Sequence, residues 1–414
     1  MTAVKPDLAA LDAADPLGPL REAFYLPEGL RYFDGNSLGP QPRAAREAVL
    51  RVLEVGWGEK LIAGWNDEGW FDLADRTAAR LAPLLGARAD AVAVADSTSL
   101  NIFKLLAGAL AAQPGRQKIY ALRDTFPTDL YMAQGLSAWL GAARATLCTF
   151  ASLEALEVAL DESVAVVLLS HVDFRTGERL PMPAFTARAH EVGALVLWDL
   201  AHSAGAMPLA LEASDVDFAV GCGYKFLNGG PGAPAFAYVA ERFHEGLSQP
   251  LAGWFGHARP FAFEADYAPA AGVARLKCGT PPVLSLAALH GALSLYEGVD
   301  LAALRAKSLA LGDLFMAEVA RRPALGDLVC VTPKDPERRG SQVAFAHPEA
   351  YALIQALQAE GIVGDFREPN ILRFGLSPAM LRYADVGAAV AALDDLLRSG
   401  RHRNPAFQQK KDVT

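Results

Sequence analysis

Short apolar runs alternate with longer amphipathic segments through the middle of the chain. The runs at Lys118–Leu122, Val164–Ser170, 194–198 and 216–221 predict buried strands, and segments such as 184–192 predict helices between them. Near-continuous apolar strands separated by helices are typical of a parallel sheet that is covered on both faces. Because ligands of such sheets bind beyond the carboxyl ends of the strands, the residues that follow each strand are the first candidates for chemistry.

After about residue 282 the pattern changes to helical segments rich in Ala and Leu. The elements predicted there are helices at 283–297 and 301–321, a strand at Gln342–Ala346, a helix at 349–360, a strand at 371–376 and a helix at 385–398. We therefore expect an N-terminal segment (1–60) that packs with a small domain, and a large domain (61–282). A long helix at 283–320 is expected to open the C-terminal small domain (283–414), and the tail after Ser399 is expected to be frayed.

The composition is that of a globular protein with a sizeable core. The 414 residues are 52% hydrophobic and 21% charged, which excludes a disordered chain. A formal net charge of −9 argues against nucleic-acid and anionic-membrane partners, because both require basic patches. No apolar run reaches the roughly 18 residues of a membrane span, and the first twenty residues lack a signal-peptide pattern. The four cysteines form no CxxC pair, so we expect a cytoplasmic protein without a disulfide scaffold.

Two strand ends carry residues suited to a phosphate and to a flat ring. Ser97 and Thr98 follow a strand predicted at 91–95 and precede a helical run, where free backbone N–H groups favour an anion. The alternative is that these hydroxyls only cap the helix. Phe126 follows Lys118–Leu122 and can cover the face of a ring, although this segment taken alone favours a core Phe in a Pro turn.

The next two strand ends carry an acid and an amine. Asp199 follows a buried strand, where a carboxylate needs a partner such as a pyridinium nitrogen, or else caps the following helix. Lys225 lies among glycines and apolar residues, a setting that favours the neutral amine of imine chemistry, unless it is a surface lysine in a loop. Because the two strands are successive, both side chains are expected to face one pocket. Together these features predict a pyridoxal 5′-phosphate site.

Other familiar sites are absent from the sequence. No G-x-G-x-x-G segment indicates a dinucleotide site, and the eight histidines include no HExxH pair, so no metal site is expected.

Six segments resemble the kynureninase family. They are YFDGNSLG at 32–39, FPTD at 126–129, DLAH at 199–202, YKFLN at 224–228, GWFGH at 253–257 and GTPP at 279–282. The resemblance runs from about residue 30 to 375. It implies a fold-type-I pyridoxal phosphate enzyme, with a large domain built on a mostly parallel sheet flanked by helices and a smaller C-terminal α/β domain. It also implies a homodimer with the active site at the subunit interface.

The resemblance implies a role for each matching residue. Lys225 is then the Schiff-base lysine, Asp199 the partner of the pyridine nitrogen, and Tyr224 a phosphate contact and proton relay. The other cofactor residues implied are Ser97, Thr98, Phe126, Pro127, Thr128, Asp129, Ser170 and His202, with Trp254 and Thr280 reaching across the dimer interface. The substrate residues implied are Arg373, which would hold the substrate carboxylate through a bidentate pair, Ser37 and Trp65.

The activity implied is hydrolysis of L-kynurenine to anthranilate and L-alanine by Cβ–Cγ cleavage, in tryptophan catabolism and NAD biosynthesis. Thr280 and Trp65 resemble the bacterial type and favour L-kynurenine over its 3-hydroxy derivative, although Trp65 is equally compatible with a core position. One alternative is a cysteine desulfurase-like class-V enzyme. Such enzymes usually carry His before the lysine and a mobile catalytic Cys loop, whereas here Tyr224 precedes Lys225 and Cys330 lies in a predicted buried strand. Another alternative is a non-catalytic cofactor-binding sensor, which the absence of a DNA-binding module argues against.

Overall fold

A computed structural model describes residues 6–410 of the chain, and helices and strands alternate along them. The strands are β1 (Arg31–Tyr32), β2 (Val92–Val94), β3 (Lys118–Leu122), β4 (Thr146–Phe150), β5 (Val164–Ser170), β6 (Leu195–Asp199), β7 (Phe218–Cys222), β8 (Ala235–Val239), β9 (Val329–Cys330), β10 (Gln342–Ala346), β11 (Ile362–Val363), β12 (Asp365–Arg367) and β13 (Ile371–Gly375). The α-helices are α1 (Leu8–Ala13), α2 (Arg43–Arg51), α3 (Gly64–Asp67), α4 (Leu73–Leu85), α5 (Thr98–Ala112), α6 (Pro127–Leu140), α7 (Leu153–Ala159), α8 (Met182–Glu191), α9 (Val283–Leu293), α10 (Leu301–Ala320), α11 (Ala350–Ala359) and α12 (Tyr383–Ser399).

A seven-stranded sheet forms the centre of the larger region. Its strand order is β2-β8-β7-β6-β5-β3-β4, and β3 to β7 run parallel while β8 runs antiparallel to both of its neighbours. Successive side chains of β5 point to opposite faces of the sheet, and each face has its own hydrophobic core. Val167 and Leu169 pack on one face, and Val166 and Leu168 pack on the other. Helices cover both faces, which explains why the strands read as continuous apolar runs. The predicted fold class is confirmed, and the pattern missed only β4 and β8 in this sheet.

The C-terminal region is built on an antiparallel sheet of order β12-β13-β10-β9, against which α11 and α10 pack. The N-terminal segment reaches this region, because β1 pairs with β11 and Asp12 accepts the backbone N–H groups of Tyr383 and Ala384 at the start of α12. An ion pair of 2.6 Å between Lys307 and Asp15 adds a second link. The domain boundaries stay a prediction.

Three expectations for the C-terminal region are wrong. The two helical patterns at 283–297 and 301–321 are confirmed as α9 and α10, so the continuous helix expected at 283–320 is wrong. Gly298 adopts a φ of +75°, and Asp300 caps the new helix through the N–H of Ala302. The tail is ordered as far as it is described: His402 is fully buried and bonds the carbonyl of Leu396 at 2.9 Å. Cys330 lies in a two-residue edge strand and is half-buried rather than buried.

Helix length also bears on the question of a membrane span. Among residues 6–410, the structure contains no helix that is long and apolar enough to cross a membrane.

Candidate active site

Lys225 is the third residue after the end of β7, and it lies in a turn. The turn is held from outside by Gly39, whose N–H donates to the carbonyl of Tyr224 at 2.7 Å. A Cβ atom at Gly39 would lie 2.3 Å from the carbonyl oxygen of Lys225, so only glycine fits this approach. Lys225 Nζ lies 3.0 Å from His202 Nε2 and 5.7 Å from the centroid of the Phe126 ring. The amine therefore lies close to His202, which follows β6, and to Phe126, which follows β3.

Two buried carboxylates lie near this amine. Asp199 ends β6, and its Oδ1 accepts the N–H of Ala201 at 2.8 Å. Burial raises the pKa of Asp199, and the positive charge of Lys225 opposes that shift. Asp129 lies in the first turn of α6, where burial and the charge of Asp199 raise its pKa well above the usual range. Two buried acids and one amine therefore lie in the same pocket.

Polar atoms in this pocket lack partners. Asp129 Oδ2 and His202 Nδ1 are buried and have no hydrogen-bond partner within the described part of the chain. Burial, followed by the charge of Lys225, lowers the pKa of His202 far enough to keep its ring neutral. Since buried polar groups are normally bonded, these atoms fit a polar ring compound that supplies the missing partners. Pyridoxal phosphate meets that requirement with its hydroxyl group and ring nitrogen.

The start of α5 offers the phosphate end of such a site. Ser97 is the N-cap, and its Oγ accepts the N–H of Leu100 at 3.3 Å, while Thr98 is the first helical residue. Ser97 therefore caps the helix, and the neighbouring N–H groups remain available to an anion. Asp96 precedes the cap with a φ of +50° and is held by the buried ammonium group of Lys104.

Phe126 lies outside the hydrophobic core. It is 39% exposed, and its ring meets the ring of Phe174 edge-on at 5.3 Å. Pro127 and Thr128 form the first turn of α6. Ser170, the last residue of β5, bonds the hydroxyl of Thr125 at 2.8 Å and lies opposite Asp199 in the sheet register.

The predicted substrate residues Arg373 and Ser37 lie together, but Arg373 already has a carboxylate partner. Its guanidinium group forms a two-pronged pair with Asp365, which faces it across the register of β12 and β13. It also donates to the carbonyl of Phe174, and its Nη2 donates to Ser37 Oγ at 2.8 Å. Sequence patterns did not reveal Asp365, Phe174 or the role of Gly39. The available signal for Asp365 was an acid at the start of β12, the short strand before β13.

Three predicted residues lie elsewhere in this chain. Trp65 packs against Trp70 and Phe255, with ring centroids 5.9 Å and 6.1 Å apart. Trp254 is 41% exposed and stacks among the aromatic residues of its own loop, and Thr280 is exposed. Within residues 6–410, no contact found for these side chains reaches Lys225.

Comparison with known proteins shows which family has this pattern. Residues 304–393 match the family model described as the kynureninase C-terminal domain. A kynureninase of Pseudomonas fluorescens is 48% identical over 412 residues, which cover 99% of each chain. A kynureninase of Burkholderia mallei strain SAVP1 is 48% identical over 414 residues, again 99% of each chain.

Solved structures agree on the fold. A C-DES variant with glycine covalently linked to its PLP cofactor superposes with a TM-score of 0.79 at 20% identity, covering 91% of this chain and 99% of that one. The cysteine desulfurase CsdA from Escherichia coli superposes with a TM-score of 0.78 at 19% identity, covering 92% of this chain and 98% of that one. At such identities these likenesses show the fold alone. The full-length relatives decide the assignment: the chain belongs to the kynureninase family.

Proposed function

We propose that this chain hydrolyses L-kynurenine to anthranilate and L-alanine, with pyridoxal 5′-phosphate as its cofactor. The observation that carries the proposal is the meeting of Lys225, Asp199 and Phe126 at one sheet edge, in a chain 48% identical to curated kynureninases. We assign the reaction to tryptophan catabolism and NAD biosynthesis in the cytoplasm.

Each pocket residue has a role that its surroundings support. When bound, the cofactor supplies an electron-withdrawing ring that stabilises negative charge at the substrate α-carbon. Lys225 Nζ holds the cofactor and then accepts the α-proton, and neutral His202 orients this amine at 3.0 Å. Asp199 holds a proton on the ring nitrogen through a charge-assisted hydrogen bond. Burial raises the pKa of Tyr224, so its hydroxyl stays protonated and can donate during the later cleavage steps.

The remaining pocket residues bind two anionic groups, the phosphate of the cofactor and the carboxylate of the substrate. Ser97 and Thr98 bind the cofactor phosphate at the start of α5, where backbone N–H groups and the helix dipole add to their hydroxyls. Arg373 and Ser37 bind the substrate carboxylate. We assign Trp65 to the side that meets the aromatic ring of the substrate. Because Trp65 and Thr280 both resemble the bacterial type, we propose a preference for L-kynurenine over 3-hydroxykynurenine.

We also propose a homodimer in which Trp254 and Thr280 complete the partner's site. An exposed apolar surface supports it, since monomeric proteins rarely expose large contiguous patches. This surface adjoins Trp65 and the loop of Trp254. The exposed side chains that form it include Trp57 (58% exposed), Leu61 (62%), Ile62 (81%), Phe261 (59%) and Phe263 (77%). Trp65 meets Phe255, so this surface is continuous with the family segment at 253–257.

Mixing two inactive variants tests the shared site. Lys225→Ala removes the amine, and Trp254→Ala removes a residue that would act in the partner. A hybrid dimer of these two has one site with both changes and one with neither, so random mixing should recover about a quarter of wild-type activity.

Lys225→Ala mixed with Asp199→Asn is the matched control, because both residues belong to one chain's pocket and no intact site can form. No recovery in the first mixture would exclude a site completed by the partner's Trp254, and recovery in the control would contradict the placement of Lys225 and Asp199 in one chain's pocket. Anthranilate fluorescence from L-kynurenine, compared with 3-hydroxykynurenine turnover and with sulfide release from cysteine, tests the activity itself. Sulfide release without anthranilate would favour the desulfurase alternative.

A further inference from the structure

Two guanidinium groups share one carboxylate beside the pocket. Asp365 Oδ1 accepts from Arg373 Nε at 2.8 Å, and Asp365 Oδ2 lies 2.6 Å from Arg367 Nη2. Ser37 Oγ lies between all three: it donates to Asp365 Oδ2 at 2.9 Å and accepts from Arg373 at 2.8 Å and from Arg367 at 3.1 Å. The four side chains form one hydrogen-bonded cluster, which we call the Ser37 cluster.

The Ser37 cluster adjoins the Lys225 pocket on two sides. Arg373 donates to the carbonyl of Phe174, whose ring packs edge-on against Phe126. The charges of both arginines also contribute to lowering the pKa of His202, the residue that contacts Lys225. A substrate bound at Lys225 can therefore extend its α-carboxylate toward this cluster.

Arg373 has little capacity left for a substrate. A guanidinium group has five N–H donors. Those of Arg373 already serve both oxygens of Asp365, Ser37 Oγ and the carbonyl of Phe174. A substrate carboxylate gains two parallel hydrogen bonds from Arg373 only when Asp365 gives up its own. Asp365 is 1% exposed, so it then needs another cation within reach.

Arg367 meets this need and also balances the charge. The buried pair of Arg373 and Asp365 is neutral, so a substrate carboxylate added to it alone would carry an uncompensated charge. Arg367 already contacts Asp365, and its buried Nε has no hydrogen-bond partner among residues 6–410. Asp34 is the other acid facing the cluster. Burial and the charge of Asp365 raise its pKa to about 7, so it adds less than a full negative charge near neutrality.

We propose that Arg367 is a second cationic residue of the substrate-carboxylate site. It keeps Asp365 paired when Arg373 turns to the substrate, and it supplies the positive charge that the substrate neutralises. The inference rests on the proposed function, in which Arg373 binds the α-carboxylate. Arg367 acts through Asp365 and through charge, so it is a positioning residue.

Arg367→Gln, with Arg367→Lys as the charge-preserving control, tests the proposal. For L-kynurenine, Arg367→Gln should raise KM about 10- to 100-fold with kcat changed less than about threefold, the result expected when a charge-assisted contact common to ground and transition states is lost. Arg367→Lys should recover most of the loss. The methyl ester of L-kynurenine carries no carboxylate charge, so its kcat/KM should be the same in wild type and Arg367→Gln.

Arg373→Gln separates failure of this inference from failure of the proposed function. If Arg373→Gln lowers kcat/KM for the acid but not for the ester while Arg367→Gln changes neither, Arg373 binds the carboxylate alone and the proposal for Arg367 is overturned. If Arg373→Gln does not distinguish acid from ester, the assignment of the carboxylate site is wrong. Equal losses for acid and ester in Arg367→Gln would indicate a purely structural role and would also overturn the proposal.

Discussion

Replacing Asp199 by asparagine changes the charge of the pocket without changing the shape of the side chain. Asp199 is 6% exposed, and its Oδ1 accepts the N–H of Ala201 at 2.8 Å, a bond that the asparagine carbonyl can keep. What disappears is the negative charge that balances a protonated ring nitrogen. A buried charge left without its partner costs about 3–5 kcal/mol. At 1.36 kcal/mol per tenfold change in rate, kcat should fall by about 10²- to 10⁴-fold.

The assay is anthranilate release at saturating cofactor, with the absorption spectrum confirming that the cofactor is bound. Asp217→Asn is the matched control, because Asp217 is equally buried but lies at the opposite end of the same strands. There it bonds the N–H of Val196 at 2.8 Å and pairs with Arg242 at 2.5 Å. The control should lose thermal stability while its kcat per bound cofactor stays within about threefold of wild type. A kcat for Asp199→Asn close to wild type, or an equal fall in Asp217→Asn, would refute the reasoning.

Two further substitutions test the surroundings of the pocket. Lys104→Met removes a fully buried ammonium group from Asp96 and from the carbonyl of Leu276 at 2.5 Å, and should lower the free energy of unfolding by about 3 kcal/mol. The control Lys118→Met removes an ammonium group that is 32% exposed and pairs with the exposed carboxylate of Asp161, so it should cost less than about 1 kcal/mol. Equal urea midpoints for the two variants would contradict this account. Asp34 gains its charge as the pH rises through about 7, so KM for L-kynurenine should rise about threefold to tenfold between pH 6 and 8. Asp34→Asn should abolish that rise, and a pH dependence that persists in the variant would assign it to another group.

Much of the fold could be predicted because burial on two faces leaves a strong local pattern. β3, β5 and β10 were predicted with the bounds that the structure has, and β6 and β7 within two residues. β4 was missed because its residues are only partly buried and it lies at the edge of the sheet. The tail was misjudged because its order depends on a distant contact of His402 with Glu349, at 3.2 Å, which no local pattern reveals.

The cofactor end of the site was predictable for a related reason. Parallel strands all place their carboxyl ends at one edge, so Lys225, Asp199 and Phe126 had to approach one another once the strands were recognised. Trp254 and Thr280 are different, because their expected place is in another subunit and no contact among residues 6–410 brings them to Lys225.

The sequence alone determined the parallel sheet, the residues that follow its strands and the family, because apolar periodicity and short motifs are local properties. Only the tertiary structure decided that Asp365 pairs with Arg373 and that Ser37 accepts hydrogen bonds from both Arg373 and Arg367. It also decided that the backbone of Gly39 packs closely against the turn that carries Lys225. The contacts of Ser37 join the first forty residues of the chain to its last fifty, and those of Gly39 join the first forty to the turn after β7. Which residues meet in such contacts depends on how the sheets and helices pack together, and packing between distant segments produces no periodic pattern in the sequence.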